Sequence, residues 1–344
     1  MRLEPAFDLA RLQACIHHAY GIRICGLTYI PQGEASFSYV AEAEGGERYI
    51  LKVLDDSRLG RQAAAQMIHA IPAMVELRAT GVLTNLPQPV LTRTRAPLAP
   101  CEADQLALSL YVEGRCPTPG LMRRPDVWQA VARSVARLHA APVTLRASGL
   151  EREAYDVPFE AALRDGLVAL TRDDASSPGC LALAAMLLPR REALLSLLGR
   201  LRVAGDVARE LASPLVLCHT DIHEANLLVD GDGDVTILDW VGLKWAPAEH
   251  DLFSFTGDEF GTFLAAYLEA GGVRSLHAET FEFYLLRRNL EDLTDYIVRI
   301  LHEDDEEQAA MDIAAAEEEC IAGWPYIEPG VERVREQLRN VLST

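Results

Sequence analysis

The chain has 344 residues, 49% of them hydrophobic, and carries 51 acidic against 32 basic side chains for a net charge of −19. This length suits two lobes or domains with a substantial core. The acidic excess speaks against nucleic acid, whose phosphates demand Lys and Arg. Solubility explains most of the acids, but a cleft lined by them would concentrate a cationic small molecule.

The N-terminus, Met1 to Asp8, is polar and lacks a signal-peptide core. No apolar run approaches the length needed to span a bilayer. Seven cysteines are scattered without Cys-x-x-Cys or zinc spacing. That pattern fits a reducing cytoplasm better than a disulfide framework, so a cytoplasmic protein with no membrane partner is expected.

In chain order, the first informative segment is the loop Pro31 to Tyr39, with Gly33, Ser36 and Ser38. Such a loop can cover phosphates with backbone N–H groups and hydroxyls, although with one Gly it also reads as a plain hairpin turn. Arg48 to Leu54 follows as a strand with Lys52 set among apolar and aromatic residues. A helix over about Leu59 to Thr80 contains Pro72 and a single carboxylate, Glu76. The Pro-rich hairpin Arg93 to Pro100 precedes an apolar strand, Leu106 to Gly114, and a Pro/Gly break at Arg115 to Gly120. Val127 to His139 is an amphipathic helix.

The densest chemistry begins at His219-Thr220-Asp221-Ile222-His223-Glu224-Ala225-Asn226. The apolar strand Leu215 to Cys218 leads into it. Two short strands, Leu227 to Val229 and Val235 to Leu238, follow around the turn Asp230-Gly231-Asp232-Gly233-Asp234. The hairpin brings Asn226 and Asp239 to one end of a small sheet, with Asp221 just upstream. One carboxylate to accept a hydroxyl proton, beside an Asn and an Asp able to hold a divalent cation, is equipment for phosphoryl transfer. Mg²⁺ takes hard oxygen ligands and keeps several waters, so a carboxylate plus an amide oxygen is sufficient protein ligation.

The segment Cys218 to Val229, followed by Ile237-Leu238-Asp239-Trp240, resembles the catalytic loop and metal-binding Asp of the aminoglycoside phosphotransferase family, and looks closest to its spectinomycin phosphotransferase branch. The resemblance implies a bilobal α+β, protein-kinase-like fold. A small antiparallel-sheet nucleotide-binding lobe would span 1–110, and a larger, mainly helical catalytic and substrate-binding lobe 111–344. It implies ATP (or GTP) and Mg²⁺ as cofactors. Asp221 would be the catalytic base, Asn226 and Asp239 the metal ligands, and His219 a loop-shaping residue. Lys52 would meet the phosphates with Gly33, Ser36 and Ser38 above them. Backbone groups near Leu110 and Val112 would hold the base at a hinge. His139 would end a structural helix, and Asp251 would be an acidic anchor. The family usually has Gly where Thr220 stands and Pro-Gly where Glu224-Ala225 stand. The acidic partner of Lys52 is not assignable, with Glu76 and Gln66 as candidates.

The expected reaction is transfer of the ATP γ-phosphoryl to a hydroxyl of an aminoglycoside or aminocyclitol antibiotic resembling spectinomycin, a resistance activity. A kinase of a cellular hydroxylated metabolite, such as an amino alcohol or sugar, is the alternative. Glu224, Glu291, Asp292 and Asp295 are candidates to grip a cationic acceptor, Glu291 and Asp295 lying one helical turn apart. The protein would act as a monomer or homodimer. A more distant alternative takes His219, Asp221 and His223 as metal ligands alternating on a strand, as in a metallohydrolase. The Asp230 to Asp234 run imitates a calcium loop but has Val235 and Val241 where that loop needs its Gly and Glu. It reads as a turn.

Overall fold

The computed structural model describes residues 5, 7–31, 33, 35–116, 124–142, 149–172, 177–231, 234–303 and 305–343. Within the segments named above, Met1 to Glu4, Ala6, Gln32, Glu34, Pro117 to Gly120, Asp232 and Gly233 lie outside the described residues. The architecture is the expected α+β, kinase-like one, an antiparallel sheet in the N-terminal region and mostly helices toward the C-terminus.

Strands β1 (Ile24–Ile30), β2 (Phe37–Ala43), β3 (Arg48–Leu54), β4 (Pro89–Val90), β5 (Ala99–Cys101) and β6 (Asp104–Leu110) form one sheet. Its order is β1-β2-β3-β6-β4, with β5 also on β6. Side chains alternate between faces along a strand, and the two faces differ in chemistry. Phe37, Tyr39, Leu51, Val53, Leu106 and Leu108 join one buried cluster with Leu12, Ile16 and Tyr20 of α1 (Leu9–Tyr20). The register aligns Ser38, Lys52 and Ala107 across β2, β3 and β6. That second face meets α2 (Arg58–Ala79), whose Ala63, Met67 and Ile71 pack with Leu54 and Ala107. Each Leu, Ile, Val, Phe or Met so buried stabilises the fold by roughly 1.5–3 kcal/mol.

Both helices carry the start signals their sequences encode. The Asp8 carboxylate accepts from the Arg11 N–H at 3.1 Å, and Ser57 Oγ from the Gly60 N–H at 3.1 Å. α1 stops at Gly21, in the left-handed region with φ 75°. The cysteine reading is corrected here: Cys15 of α1 and Cys101 of β5 form a disulfide, with Cα atoms 5.8 Å apart. Docking α1 on the sheet brings together residues 86 positions apart, a contact that local spacing cannot encode.

Contacts group the chain into two compact units that do not coincide with a boundary at 110/111. One comprises Met1–Arg152, Leu215–Ser254 and Thr262–Val273; the other comprises Glu153–Pro214, Phe255–Gly261 and Arg274–Thr344. The first unit therefore holds the sheet, α3 (Pro125–His139) and the hairpin β8 (Leu227–Val229) and β9 (Val235–Ile237). It also holds the pair β7 (Leu215–Cys218) and β10 (Lys244–Pro247). The second unit is helical. Its central helix, α9 (Ala278–His302), buries Phe281, Tyr284, Leu286, Leu290 and Leu293. In this unit Arg299 pairs with buried Asp312 at 2.6 Å, and Arg287 with Glu153 at 3.1 Å.

Candidate active site

Two short antiparallel pairs in the first unit carry the acidic chemistry. β7 ends at Cys218, and the chain then turns sharply, because Thr220 has φ 76° and Asp239, just past β9, has φ 56°. A β-branched residue at positive φ is strained. Thr220 is held there by donating its N–H to Asp251 Oδ1 at 2.6 Å and its hydroxyl to the Gly242 carbonyl at 3.0 Å. Gly242 is required opposite it: a Cβ at 242 would stand 2.2 Å from Thr220 Oγ1.

The β8–β9 register pairs Leu227 with Ile237, and the Leu238 N–H donates to the Asn226 carbonyl at 2.7 Å. Asn226 and Asp239 thus sit at the same end of the hairpin, as their spacing implies. Asn226 Nδ2 donates to Asp221 Oδ2 and to the Asp221 carbonyl, both at 2.9 Å. His223 Nε2 lies 3.6 Å from Asp221 Oδ1. With its amide nitrogen committed to Asp221, Asn226 keeps Oδ1 for another ligand, and one Asp239 oxygen is likewise left over by Lys52. An amide oxygen and a carboxylate oxygen at one hairpin end fit a hard divalent cation such as Mg²⁺.

A buried clamp fixes this loop. Asp251, fully buried, accepts from the His219 N–H at 2.9 Å, from the Thr220 N–H and from His139 Nε2 at 3.0 Å. The other ring nitrogen of His139 meets the Tyr267 hydroxyl at 2.8 Å. Burial alone would push the Asp251 carboxyl up; its hydrogen bonds and the neighbouring His139 and His219 outweigh burial and hold it below the usual carboxylate range. Burial pushes His219 down, keeping the ring neutral. His219 Nε2 donates to the Leu238 carbonyl at 2.7 Å, its Nδ1 accepts from the Asp221 N–H at 3.3 Å, and its ring packs edge-on against Trp240. Both ring nitrogens are therefore occupied. This overturns the metallohydrolase alternative, which also needs a strand over 219–223, whereas β7 ends at Cys218. His139, Cys218 and Asp251 do lie within metal-binding distance of one another. Cys218 is wholly buried with its thiol pushed well up, first by burial and then by Asp251 and Glu249, so the group reads as a hydrogen-bonded core.

Lys52 Nζ reaches Asp239 Oδ1 at 2.5 Å. Neither Glu76 nor Gln66 supplies its partner, since the α2 face toward the sheet is apolar. Ser38 is the cross-strand neighbour of Lys52. Ser36 is buried, and Gly33 has φ 95° in the loop between β1 and β2. At the proposed hinge the structure narrows the expectation. The Leu110 N–H donates to the Gln88 carbonyl at 2.9 Å and the Tyr111 N–H to the Arg48 carbonyl at 3.0 Å. These two N–H groups are thereby taken up within the sheet, which leaves Leu110 its carbonyl rather than its N–H to offer. Gly114, φ 155°, passes so close to Leu228 that a Cβ would stand 2.9 Å from its Cβ.

Of the candidate acceptor-binding acids, Glu224 lies in the short turn Glu224–Asn226, beside Asp221 and exposed. Glu291, Asp292 and Asp295 belong to α9 in the helical unit. Glu291 pairs with Arg287 at 3.4 Å and Asp292 with Arg288 at 2.7 Å, each one turn upstream. A residue the sequence did not single out is Asn85. Its amide donates to Ser134 Oγ at 2.8 Å and to the Val235 carbonyl at 2.9 Å, and its carbonyl accepts from the Ile237 N–H at 3.0 Å. It acts as a one-residue neighbour strand for β9, two positions before Asp239. Nothing in its local sequence, a turn-like Thr84-Asn85-Leu86-Pro87, signals this.

Residues 27–286 match the phosphotransferase enzyme family. Protein StrN of Streptomyces griseus is 30% identical over 210 residues, 58% of this chain and 61% of that protein, so the chain spans about three-fifths of this relative. Among solved structures, spectinomycin phosphotransferase APH(9)-Ia in complex with ADP and spectinomycin superposes with a TM-score of 0.72 at 17% identity, covering 97% of this chain and 99% of that one. A microcompartment-associated aminopropanol kinase gives 0.59 at 18% identity, over 94% and 99% of the respective chains. An amicoumacin kinase bound to AMP-PNP, Ca²⁺ and its antibiotic gives 0.59 at 16% identity, over 94% of each chain. The family match covers most of the chain, and with the sheet and the β8–β9 hairpin in place, the protein belongs to the phosphotransferase enzyme family.

Proposed function

We propose that the protein transfers the γ-phosphoryl group of ATP to a hydroxyl of a cationic aminocyclitol or aminoglycoside resembling spectinomycin. The observation carrying this reading is the bond from Asn226 Nδ2 to Asp221 Oδ2 at 2.9 Å. It fixes the Asp221 carboxylate beside Asn226, where a substrate hydroxyl would meet it. Asp221 takes the hydroxyl proton as the acceptor oxygen attacks phosphorus, and ADP leaves. Lys52 moves its charge from Asp239 to the phosphates. Asn226 Oδ1 and Asp239 would hold Mg²⁺, which would supply positive charge to the phosphates. Ser38, beside Lys52, and the Gly33–Ser36 loop cover the phosphates. The Leu110 carbonyl and Val112 N–H bind the edge of the base. Glu224, in the turn after Asp221, attracts an amine of the acceptor.

A small hydroxylated amine of metabolism is the second acceptor class, since the same carboxylate would attract it and a kinase of this fold acting on aminopropanol is known. ATP consumption measured over a panel of aminocyclitols, aminoglycosides, macrolides and amino alcohols tests the reading. Turnover of an aminocyclitol with the product mass raised by one phosphate supports it. Turnover of amino alcohols alone would select the second class.

A further inference from the structure

Asp221 and Asp239 lie on separate segments, and the residues beside them are bonded to each other. His219 Nε2 donates to the carbonyl of Leu238, the residue before Asp239, at 2.7 Å; the Thr220 hydroxyl donates to the carbonyl of Gly242, beyond Asp239, at 3.0 Å. Asp239 is therefore straddled by bonds from the two residues that precede Asp221. The bonds from the Leu238 N–H to the Asn226 carbonyl and from Asn226 Nδ2 to Asp221 Oδ2 complete a closed ring. Asp221, Asn226 and Asp239 all belong to it. Gly242 ends the short turn Trp240–Gly242, where Val241 packs on the cluster of Leu54, Met67 and Ile71. An apolar contact at Val241 and a hydrogen bond at Gly242 thus hold the turn after Asp239. Thr220, φ 76°, and Asp239, φ 56°, are both left-handed, a region that Asp tolerates better than a β-branched residue does. A glycine at 220 would adopt this φ freely and would keep the N–H bond to Asp251. What threonine adds is the hydroxyl, and Gly242 is shaped to it, since a Cβ there would stand 2.2 Å from Thr220 Oγ1.

We propose that Thr220 is a positioning residue for phosphoryl transfer: its hydroxyl, on the Gly242 carbonyl, fixes the turn after Asp239 against the loop bearing Asp221. The inference rests on the roles proposed above for Asp221, Asn226 and Asp239. The backbone at Asp239 sets the direction of its carboxylate, and a turn released at Gly242 can carry that carboxylate away from Asn226 Oδ1. A site that must be reordered when the cation arrives binds it more weakly, and reacting groups held less closely transfer more slowly. Thr220 acts through Asp239 and its neighbours, without touching a reactant. Acceptor binding, which draws on groups outside the ring, is left as it was.

The test sets Thr220→Ser, which keeps the hydroxyl, against Thr220→Gly and Thr220→Val, which remove it. Glycine relieves the strained φ, whereas valine retains the branched shape; melting curves identify a variant that fails to fold, and the glycine variant then carries the comparison. Mn²⁺ binding in the presence of ADP, read from the free-ion signal by electron paramagnetic resonance, reports on the cation site without turnover. Affinity should fall by about tenfold in the Gly and Val variants, the worth of one neutral hydrogen bond, and stay within about twofold of the wild type in Ser. With an acceptor turned over in the panel above, the same two variants should lower kcat by about tenfold at an acceptor KM within about twofold, the split expected of lost positioning. A merely structural role predicts instead that Thr220→Gly, freed of strain, resembles the wild type in both readouts. That result overturns this inference alone, and so does a Ser variant as weak as Gly. Wild-type protein that binds no Mn²⁺ in the presence of ADP overturns it together with the cation site on which it rests.

Discussion

Lys52 Nζ and Asp239 Oδ1, 2.5 Å apart, join the centre of the five-strand path β1-β2-β3-β6-β4 to the end of the β8–β9 hairpin across 187 residues of sequence. Both side chains are largely sheltered, at 19% and 32% exposure. Each has a second task in the proposed reaction, on the phosphates and on the cation respectively. Lys52→Ala is therefore expected to raise the KM for ATP and lower kcat by about 10²–10³, as loss of a preorganised donor to developing charge does. Asp239→Asn should in addition raise the Mg²⁺ concentration needed for turnover. Steady-state kinetics with normal ATP and Mg²⁺ dependence in either variant would contradict these roles.

Asn85 positions the cation end of the same hairpin from outside it. Asn85→Ala removes donors from Ser134 Oγ and from the Val235 carbonyl, and an abandoned buried acceptor costs about 1–3 kcal/mol. The expected result is a lower melting temperature with a higher Mg²⁺ requirement and little change in the KM for the acceptor. A variant that loses stability with an unaltered Mg²⁺ titration would reduce Asn85 to a structural pin.

The parts of this site visible in sequence are those encoded locally. Asp221, Asn226 and Asp239 fall within one loop and one hairpin, so spacing alone brings them together, and Lys52 stands out as a charge inside an apolar strand. What spacing cannot carry are pairings that only the folded sheet creates. The Lys52–Asp239 ion pair, the Cys15–Cys101 disulfide and the capture of the Leu110 N–H by Gln88 are all of this kind. The α9 acids are a different case: Arg287 and Arg288 stand one turn before Glu291 and Asp292, and a count of i,i+4 pairs reveals them.

Those pairs sharpen the acceptor test. Neutralising Glu291, Asp292 and Asp295 together to Gln and Asn should raise the KM for a cationic acceptor while the KM for ATP stays near its original value, the pattern of lost acceptor binding. Added salt should weaken acceptor binding in the same direction, because partly exposed charges are screened. An unchanged acceptor KM would leave these acids as helix-surface partners of Arg287 and Arg288.

The buried clamp predicts a pH profile of stability. His219 is shifted down by burial, so the unfolded chain binds that proton more tightly and stability falls as pH drops through the ordinary His value of 6.5. Asp251 is held low by its partners, so its contribution is complete above the unfolded carboxyl value of 3.8 and is lost as pH falls below it. Melting temperature should decline in two stages on acidification, and His219→Gln should remove the first. A melting temperature that rises between about pH 7 and pH 5 would contradict the sign of the His219 shift.

Asp221 carries the central claim, since it is the one group assigned to the proton that must leave the acceptor. The most direct measurement is single-turnover phosphoryl transfer by Asp221→Asn, alongside ADP binding by calorimetry. The account predicts transfer slowed by at least about 10²-fold with ADP affinity within about twofold of the wild type, because the nucleotide is held by groups other than Asp221. Transfer at the wild-type rate by a folded Asp221→Asn protein would contradict it.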